Sequence, residues 1–595
     1  MCYFISQTKS KILGLADAVR FEIDPRPETV DNRPMINRVG WIRLVASVAS
    51  GLLVALLFPP FHGSALAWVA MIPLLMTLGT VEGKCPGWKG FRLGFLAGLV
   101  SCLLQLRWLA VVSSLGSVLL AMYLALFWGV FGAFAATLGK PDARGGARAS
   151  LRVAFCLASV WAGLEWLRGW LFTGFGWNGL GVAFHEARVM AQAADVLGIA
   201  GLSLALVFVQ SVIAQAGSAL ARRQPGKRWD LAVAGLLLIS LFGYGKFRIA
   251  SEERAEGVRL KTLLVQINIP QDAAQVLWTD LQVHQAYEDE TLKALEALKA
   301  PSGEKSKDWP DWVMWPESAL TGRILRTKDG SWGTWQINMD TVAQVRTAGP
   351  FSLIHGAVEL EGEKTGDELQ PSPSGRAYNS IAVQSPEDVL QTYRKHHLVF
   401  FGETIPFVES LPILKKIYAE QAGVEFGGSF TPGDSLDPLP ILAGETEIEA
   451  IPTICFEDTV GRLVRKFTRP GPQVIINVTN DGWFKESPAA AQHFANARFR
   501  AIELRRPMIR CANSGVSAAL DATGSPLHPD TGRAQVLVDA HGSHFTRGSL
   551  LTELKIPTHP TVSLFARIGD WGILVLTSVG LMLALSAHKA GLIKE

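Results

Sequence analysis

The segment QVIINVTND, residues 473–481, decides the fold class of the second half of the chain. It is a short apolar run that ends in polar residues, and such a strand is buried on both faces, as in a sheet covered by helices. From about Val258 onward similar runs follow one another between turns: LKTLLVQIN, DWVMWPES, FSLIHGAVEL, EAIPTICFED and RPMIRCANSG. We therefore predict an α/β domain. Its insert at residues 361–375, rich in Gly, Pro and Ser, is predicted to be a surface loop.

Three segments of this domain carry reactive side chains. Glu317 ends VMWPE, Cys455 ends AIPTIC, and Lys395 lies in TYRKHHLVFFGE. Reactive groups are well held where a buried strand ends and a loop begins. Each residue also has an ordinary interpretation: a small core residue for Cys455, a helix cap for Glu317 and a solvated charge for Lys395. Together they offer a nucleophile, a base and a cation for a developing oxyanion.

The apolar excess of the 595-residue chain lies in its first 250 residues and its last 30. A membrane-spanning helix needs about 20 mostly apolar residues. We expect a bundle of eight membrane helices, centred on Leu44–Phe58, Ala65–Leu78, Leu93–Leu106, Val118–Leu138, Val153–Phe172, Leu197–Ala219, Leu231–Phe247 and Trp571–Ala587. The outer end of the third is uncertain, and residues 190–221 are too long for one straight span.

Basic residues fall in every second loop, which sets the orientation of a membrane protein. They follow spans two, four and six: Lys84, Lys89, Arg92, Lys140, Arg144, Arg148, Arg152, Arg222, Arg223, Lys227 and Arg228. We therefore predict a cytoplasmic N-terminal tail at 1–42, seven membrane helices at 43–250, an extracytoplasmic domain at 251–560, and an eighth helix with a cytoplasmic C-terminus at 561–595.

Several classes of protein are excluded by composition. The net charge is only +3, and the basic residues form short clusters rather than one face, so no nucleic-acid partner is expected. The six cysteines are scattered, and no CxxC or HExxH spacing occurs, so we expect neither a disulfide framework nor a metal, and no cofactor. The first 40 residues contain polar and charged residues throughout, with no compact apolar stretch before a small-residue cleavage site, so a cleaved signal peptide is not expected.

The three segments resemble the catalytic blocks of the nitrilase superfamily. WPES carries Glu317, YRKHHLVFFGE carries Lys395 and Glu403, and ICFED carries Cys455 and Glu457, in the Glu-Lys-Cys order of that superfamily. Further matches are VQINIPQD, NVTNDGWF, QHFANARFRAIELRRPMIRCANSGVSA and, in the membrane half, EWLRGWLFTGFGWN. Over nearly its whole length the chain resembles the membrane-embedded branch, the apolipoprotein N-acyltransferases.

This resemblance implies a nitrilase-type αββα sandwich on the periplasmic side of a Gram-negative inner membrane. It implies transfer of an acyl chain from a phospholipid of the bilayer to the α-amino group of a diacylated lipoprotein. Cys455 would be the nucleophile, Glu317 the general base, and Lys395 the group that stabilises the oxyanion. The supporting or substrate-binding residues that it implies are Glu403, Glu457, Phe456, Trp278 and Trp483.

Some positions depart from the family pattern, and other functions stay open. Phe400 replaces the usual Pro, Phe456 the frequent Tyr, and Lys485 the common Gly, which leaves the lipid preference open. The segment 406–426 is either a mobile arm on the headgroups or a packed amphipathic helix. The alternative functions are a membrane-tethered amidase or nitrilase that hydrolyses a small substrate, and a non-enzymatic receptor with a degenerate nitrilase fold.

Overall fold

Long apolar helices make up the first part of the chain and its end. The computed structural model describes residues 38–139, 146–223, 228–272, 275–300, 306–366, 368–400, 402–405, 413, 416 and 429–592. Within these ranges the α-helices are α1 Arg38–Ala55, α2 Ile72–Leu78, α3 Pro86–Gln105, α4 Ser114–Thr137, α5 Gly146–Arg168, α6 Arg188–Ala191, α7 Ala194–Ala221, α8 Trp229–Arg254, α9 Asp280–Ala297, α10 Gln336–Arg346, α11 Gly461–Val464, α12 Ala489–Leu504, α13 Leu564–Ile568 and α14 Trp571–Leu592. Of these, α1, α4, α5, α7, α8 and α14 are long and apolar enough to cross a membrane.

The second predicted span, Ala65–Leu78, is not one continuous helix. A 3₁₀ turn, Ser64–Trp68, precedes α2, and the chain between them is irregular. At this break the Met71 N–H donates to Gln210 Oε1 on α7 at 2.6 Å. Irregular backbone is tolerated inside a helix bundle when a neighbouring helix supplies the missing partner. The described residues thus support a helical membrane part, while the count of eight spans stays a prediction.

The structure gives helix bounds for the two predicted spans whose ends were uncertain. The third predicted span belongs to α3, which ends at Gln105 and is followed by a 3₁₀ turn, Arg107–Val111. The region from residue 190 is bent, as its length required. Helix α7 contains a kink where Leu197 and Gly198 leave the helical conformation.

Two large β-sheets and one two-stranded sheet, β2-β3, lie among the described residues of the domain between Gly257 and Pro557. The first has the order β10-β9-β7-β4-β1-β16, with β5, β6 and β8 beside this path, and the second has the order β11-β12-β13-β14-β15. The bounds are β1 Gly257–Gln266, β2 Gln271–Asp272, β3 Gln275–Val276, β4 Trp312–Met314, β5 Ile324–Arg326, β6 Trp332–Thr334, β7 Ser352–Thr365, β8 Glu368–Pro371, β9 Ala377–Gln384, β10 Leu390–Arg394, β11 Leu439–Ala443, β12 Thr446–Ile454, β13 Gln473–Thr479, β14 Met508–Ala512, β15 Ala518–Leu520 and β16 Gly548–Pro557. Strands β1, β4 and β7 run parallel, as do β12, β13 and β14.

Apolar side chains join the two sheets face to face. Met314 and Ile354 of the first sheet share one buried cluster with Ile448 and Ile476 of the second. Helices α9 and α10 cover the other face of the first sheet, and α12 packs against the second. The layers are therefore helix, sheet, sheet and helix, as expected for a nitrilase-type domain.

Helix α12 also joins the domain to the membrane helices. Its residues Ala495, Phe499 and Ile502 belong to the apolar cluster of the membrane part. At its end Arg505 Nη2 lies 2.8 Å from Asp195 Oδ2 of α7, with both side chains buried. The domain is thus fixed against the bundle by packing and by a buried ion pair.

The prediction of a surface loop at residues 361–375 is wrong in part. Strand β7 continues to Thr365, and β8 pairs with it antiparallel, from Gly362 opposite Pro371 to Thr365 opposite Glu368. Gly366 has a φ of 67°, which suits a tight hairpin turn. The segment is exposed as expected, but it extends the sheet.

Candidate active site

Glu317 lies just beyond the carboxyl end of β4. The Trp315 N–H donates to the Ile354 carbonyl oxygen at 2.8 Å, which extends the pairing of β4 with β7 before the chain turns away. Gly356 of β7 lies directly against this turn, and a Cβ at that position would be 2.5 Å from the Glu317 Cα. A larger residue would push the turn outward, so glycine keeps Glu317 close to the sheet.

Lys395 and Cys455 also follow strands. The Lys395 N–H donates to the Asn379 carbonyl oxygen of β9 at 2.8 Å. Cys455 follows β12 and has a φ of 51°, which is unusual for a residue with a side chain. Asn477 of β13 holds this turn, because its Nδ2 donates to the Cys455 carbonyl oxygen at 3.1 Å. Strain of this kind is concentrated at functional sites.

The three residues predicted from the sequence meet at one point. The side chains of Cys455 and Glu317 lie close enough to interact electrostatically. The buried ammonium of Lys395 lies close enough to interact electrostatically with both groups. Glu317 and Lys395 follow strands of the first sheet, whereas Cys455 follows a strand of the second. The packing of the two sheets against each other therefore brings the three residues together.

Two further residues complete the cluster. Glu403 Oε2 lies 2.8 Å from Lys395 Nζ. Asn379 Nδ2 donates to Glu317 Oε1 at 2.8 Å and to Glu403 Oε1 at 2.6 Å. Glu403 was among the residues implied by the resemblance, whereas Asn379 was not predicted. The only feature of the sequence that could have indicated Asn379 is the presence of this polar residue in the largely apolar strand AYNSIAV.

Burial governs the protonation of this cluster. Burial raises the pKa of Glu317, and Lys395 opposes that rise. Burial also raises the pKa of the Cys455 thiol; Glu317 adds to the rise and Lys395 only partly offsets it. For Lys395 burial would lower the pKa, but the carboxylates of Glu403 and Glu317 raise it above its ordinary value. Cys455 therefore rests as a thiol, and a thiol needs a base before it can act as a nucleophile.

Glu457 connects the loop that carries Cys455 with the loop that carries Lys395. It is fully buried and accepts hydrogen bonds from the N–H groups of His396 at 2.8 Å, His397 at 2.9 Å and Ile454 at 2.9 Å, and from the Tyr393 hydroxyl. Burial raises its pKa to about 7, although Lys395 and these N–H donors oppose the rise. Its position suits a supporting role that holds both loops.

A buried ionic network lies behind Cys455. His493 Nε2 is 2.9 Å from Asp458 Oδ1, and its Nδ1 is 2.7 Å from Asp481 Oδ1. Arg510 pairs with both aspartates and also donates to Asn477 Oδ1 at 2.9 Å. Burial would lower the pKa of His493, but the aspartates raise it to about 9. The network was not predicted from the sequence, although its residues lie in the segments ICFED, NVTND, QHFANAR and RPMIRC.

Phe456 extends the site toward the membrane helices. Its ring stacks on Phe175 with centroids 6.0 Å apart, on Trp177 at 6.1 Å and on His397 at 5.8 Å. Trp177 is held in turn, because its Nε1 donates to Gln492 Oε1 of α12 at 2.9 Å. The residue next to Cys455 is thus part of an aromatic wall built by both halves of the chain.

Two other predicted residues lie outside these contacts. Trp278 packs against the core beneath α9, and Trp483 is a partly buried residue of the 3₁₀ turn Asp481–Phe484. Their role at the substrate entrance stays a prediction. The segment 406–426, for which a mobile arm and a packed amphipathic helix both stayed open, lies outside the described residues, except for positions 413 and 416.

Comparisons with known proteins identify both halves of the chain. Residues 50–212 match the family model "Apolipoprotein N-acyltransferase N-terminal domain", and residues 289–540 match "Carbon-nitrogen hydrolase". An apolipoprotein N-acyltransferase of Geobacter metallireducens is 32% identical over 492 residues, which cover 80% of this chain and 85% of that protein. Its counterpart from Rhodopseudomonas palustris is 31% identical, covering 92% and 95%, and that from Bradyrhizobium diazoefficiens is 30% identical, covering 93% and 96%. The chain therefore belongs to the apolipoprotein N-acyltransferase family.

Proposed function

We propose that the chain transfers an acyl group from a membrane phospholipid, through a thioester on Cys455, to the α-amino group of the diacylglyceryl-cysteine of a lipoprotein. This would be the last step of bacterial lipoprotein maturation. The observation that carries the proposal is the stacking of Phe456 on Phe175 and Trp177. It sets the nucleophile against the membrane helices, where both lipid substrates would lie.

In the first half-reaction Glu317 takes the thiol proton of Cys455 while the sulfur attacks the ester carbonyl carbon. A carbon–sulfur bond forms, and the carbonyl electron pair moves onto oxygen. The ammonium of Lys395 stabilises this oxyanion, a contribution of roughly 3 kcal/mol for a preorganised donor. The ester carbon–oxygen bond then breaks, and the proton held by Glu317 passes to the leaving lysophospholipid oxygen.

In the second half-reaction the lipoprotein amine attacks the thioester carbonyl. Glu317 accepts a proton from the amine nitrogen, and Lys395 stabilises the new oxyanion. The carbon–sulfur bond breaks, an amide remains on the lipoprotein, and the proton returns to the sulfur of Cys455. The two substrates would therefore react in a ping-pong order.

We also propose a location. The alternation of basic loops supports placing both termini in the cytoplasm and the catalytic domain in the periplasm of a Gram-negative bacterium. Six described helices are long and apolar enough to cross a membrane, which supports a multi-pass membrane protein. Two of the loops that carry this argument, around Arg144 and Lys227, lie outside the described residues.

A reconstituted reaction tests the proposal. The purified protein is mixed with defined phospholipids and a synthetic diacylated lipopeptide, and the products are identified by mass. We expect a triacylated peptide and one lysophospholipid for each acyl group transferred. Free fatty acid without an acylated peptide, or ammonia released from small amides, would instead favour the membrane-tethered hydrolase, which no observation on the described residues supports better.

A further inference from the structure

Three potential metal ligands meet where two loops of the membrane part lie beside α12. His62 lies in the irregular segment after α1, and His185 and Glu186 lie in the segment before α6. Each side chain places one nitrogen or oxygen atom within 4.8 Å of the corresponding atoms of the other two. The three residues are distinct from the catalytic cluster and from the ionic network behind Cys455.

His185 presents a ring nitrogen without a partner. Its side chain is buried, with 5% of the residue exposed. Its Nδ1 lies 3.2 Å from the Val182 carbonyl oxygen, so we assign the ring proton to this nitrogen, and Nε2 keeps its lone pair. Nε2 is buried and has no hydrogen-bond partner among the described residues, which is rare for a buried polar atom. A histidine that binds a metal commonly holds its other nitrogen in such a bond to a carbonyl oxygen.

His62 and Glu186 complete the set from the solvent side. His62 Nδ1 lies 2.9 Å from Glu186 Oε1, and about half of each side chain is exposed, 47% and 49%. The rings of His62 and His185 have their centroids 5.7 Å apart. The ligand atoms of a zinc site lie about 2.0–2.2 Å from the ion. The two half-exposed side chains must therefore rotate slightly to close on an ion, which their exposure allows.

The backbone on both sides of the cluster is held by hydrogen bonds that do not involve the ligand atoms. The Gly63 N–H donates to the Leu56 carbonyl oxygen at 2.9 Å, and a Cβ at Gly63 would be 2.4 Å from that oxygen, so the turn beside His62 is tight. Arg498 of α12 donates to the His185 carbonyl oxygen. Ligands on a fixed backbone lose less conformational freedom when they bind.

The ligand types indicate zinc rather than a harder cation. Two imidazoles and one carboxylate form the ligand set of zinc sites that keep a fourth position for water. Magnesium and calcium instead prefer a larger number of oxygen ligands. Glu186 also interacts electrostatically with Arg498. Because this guanidinium offsets the carboxylate, the cluster attracts a cation mainly through its imidazole nitrogens.

We infer that His62, His185 and Glu186 bind one Zn²⁺ ion, which fastens the loop after α1 to the loop before α6. The inference goes beyond the proposed acyl transfer and does not depend on it. The expectation of no metal rested on local spacings such as CxxC and HExxH, whereas His62 and His185 are far apart in the sequence. Only the packing of the two loops brings them together.

Both loops also contact α12 of the catalytic domain. Gln492 Nε2 donates to the Pro59 carbonyl oxygen at 2.9 Å, just before His62. Arg498 holds the other loop at His185. An ion that joins the two loops therefore stabilises the junction between the membrane helices and the domain, so its binding should be seen as a gain in thermal stability.

Two substitutions remove a ligand while keeping the neighbouring hydrogen bond. In His62→Asn the amide nitrogen takes the place of Nδ1 and can still donate to Glu186, and asparagine tolerates the φ of 51° at this position. In His185→Asn the amide nitrogen can still donate to the Val182 carbonyl oxygen, whereas Nε2 is lost. His541→Asn changes an exposed histidine elsewhere in the chain and is the control.

The test uses the full chain, purified in detergent without a histidine tag, stripped by a chelator and titrated with Zn²⁺ in a calorimeter. We expect one ion per chain. The Kd should rise more than about 100-fold in His62→Asn and His185→Asn, because even the loss of an outer partner of a metal ligand costs about 10- to 100-fold. His541→Asn should bind zinc as the wild type does.

Thermal unfolding gives a second measurement. Zn²⁺, but neither Mg²⁺ nor Ca²⁺, should raise the unfolding temperature of the wild type, and the rise should grow with the logarithm of free zinc above the Kd. Without zinc, the wild type and His62→Asn should unfold at the same temperature. A loss of stability in His62→Asn that is equal with and without zinc would overturn the inference, because His62 and Glu186 would then form a structural hydrogen bond only.

X-ray absorption of the bound zinc identifies its ligands. We expect nitrogen and oxygen at about 2.0–2.2 Å. Sulfur at about 2.3 Å would assign the ion to a cysteine, such as the exposed Cys85, and would overturn the inference. Zinc that binds His62→Asn and His185→Asn as tightly as the wild type would be an adventitious ion only, with the same consequence.

Discussion

The side-chain amide of Asn379 donates a hydrogen bond of 2.8 Å to the carboxylate of Glu317. The same amide holds Glu403, which pairs with Lys395. One residue of β9 thus aligns the proposed base with the ion pair that surrounds it. A donor to a carboxylate favours its charged form, and Asn379 accordingly opposes the rise in the pKa of Glu317 that burial causes.

Replacing Asn379 by Ala should slow acylation and move its pH dependence. Without the amide the pKa of Glu317 rises further, so a smaller fraction of the base is ionised at neutral pH. We expect the rate of thioester formation to fall roughly 10- to 100-fold and its acidic limb to shift to higher pH. Ser380→Ala is the matched control, because the Ser380 side chain contacts Glu359 instead. An unchanged pH profile would assign Asn379 a packing role only.

His493→Gln should destabilise the domain in a pH-dependent way. The pKa of His493 is raised from 6.5 to about 9 in the folded protein. Its contribution is therefore fully present below about pH 6.5 and is lost as the pH rises through about 9. Removing one partner of a buried network costs about 3–5 kcal/mol. Thermal unfolding across this pH range should show the gap between wild type and variant narrowing at high pH; a constant gap would contradict a charged imidazole. Replacing the exposed His541 by Gln is the control.

Cys511→Ser should retain much of the activity. Cys511 is a buried free thiol, and its Sγ contacts the Met314 carbonyl oxygen at 3.2 Å, a contact that a serine hydroxyl can keep. Burial raises the pKa of this thiol to about 12, so it is a poor nucleophile. Mass analysis of the unreduced active enzyme should find no bridge between residues 455 and 511. Finding one would contradict a nucleophilic role for Cys455.

Labelling of introduced cysteines should give the orientation in the membrane. In a background with Cys2→Ser, Cys85→Ser and Cys455→Ala, Glu387→Cys in the domain should react with an impermeant thiol reagent added outside spheroplasts. Arg148→Cys, at the start of α5, should react only after the membrane is broken, because its loop is basic. Labelling of residue 148 from outside would refute the proposed topology.

Features that depend on residues close together in the sequence could be predicted, whereas features that depend on contacts between distant segments could not. Glu317, Lys395 and Cys455 were identifiable because each sits at a strand end within a recognisable segment. Asn379 was not, because its position beside Glu317 depends on the order of strands in the sheet. The break before α2 was equally hard to predict. The backbone N–H of Met71 at this break donates to the side chain of Gln210, which lies on a helix distant in the sequence.

The hairpin at residues 361–375 was missed for a different reason. Gly, Pro and Ser are typical of loops, and the segment is exposed, so neither composition nor burial indicated a strand. Its strands are stabilised by pairing of β8 with the extended β7. Backbone pairing of this kind leaves little trace in the pattern of side chains.

The most direct test of the central claim is to incubate the enzyme with phospholipid alone and to look for an acyl group on Cys455 by intact mass, with hydroxylamine cleavage as a check. We expect a thioester and one lysophospholipid per enzyme, because the acyl group must leave its ester before the amine arrives. Cys455→Ala should form none, Glu317→Gln should form it about 100- to 10,000-fold more slowly, and Lys395→Ala should also be slowed, through lost stabilisation of the oxyanion. If acylated peptide forms only when donor and acceptor are present together, and Cys455 is never found acylated, the transfer is direct and the role assigned to Cys455 is wrong.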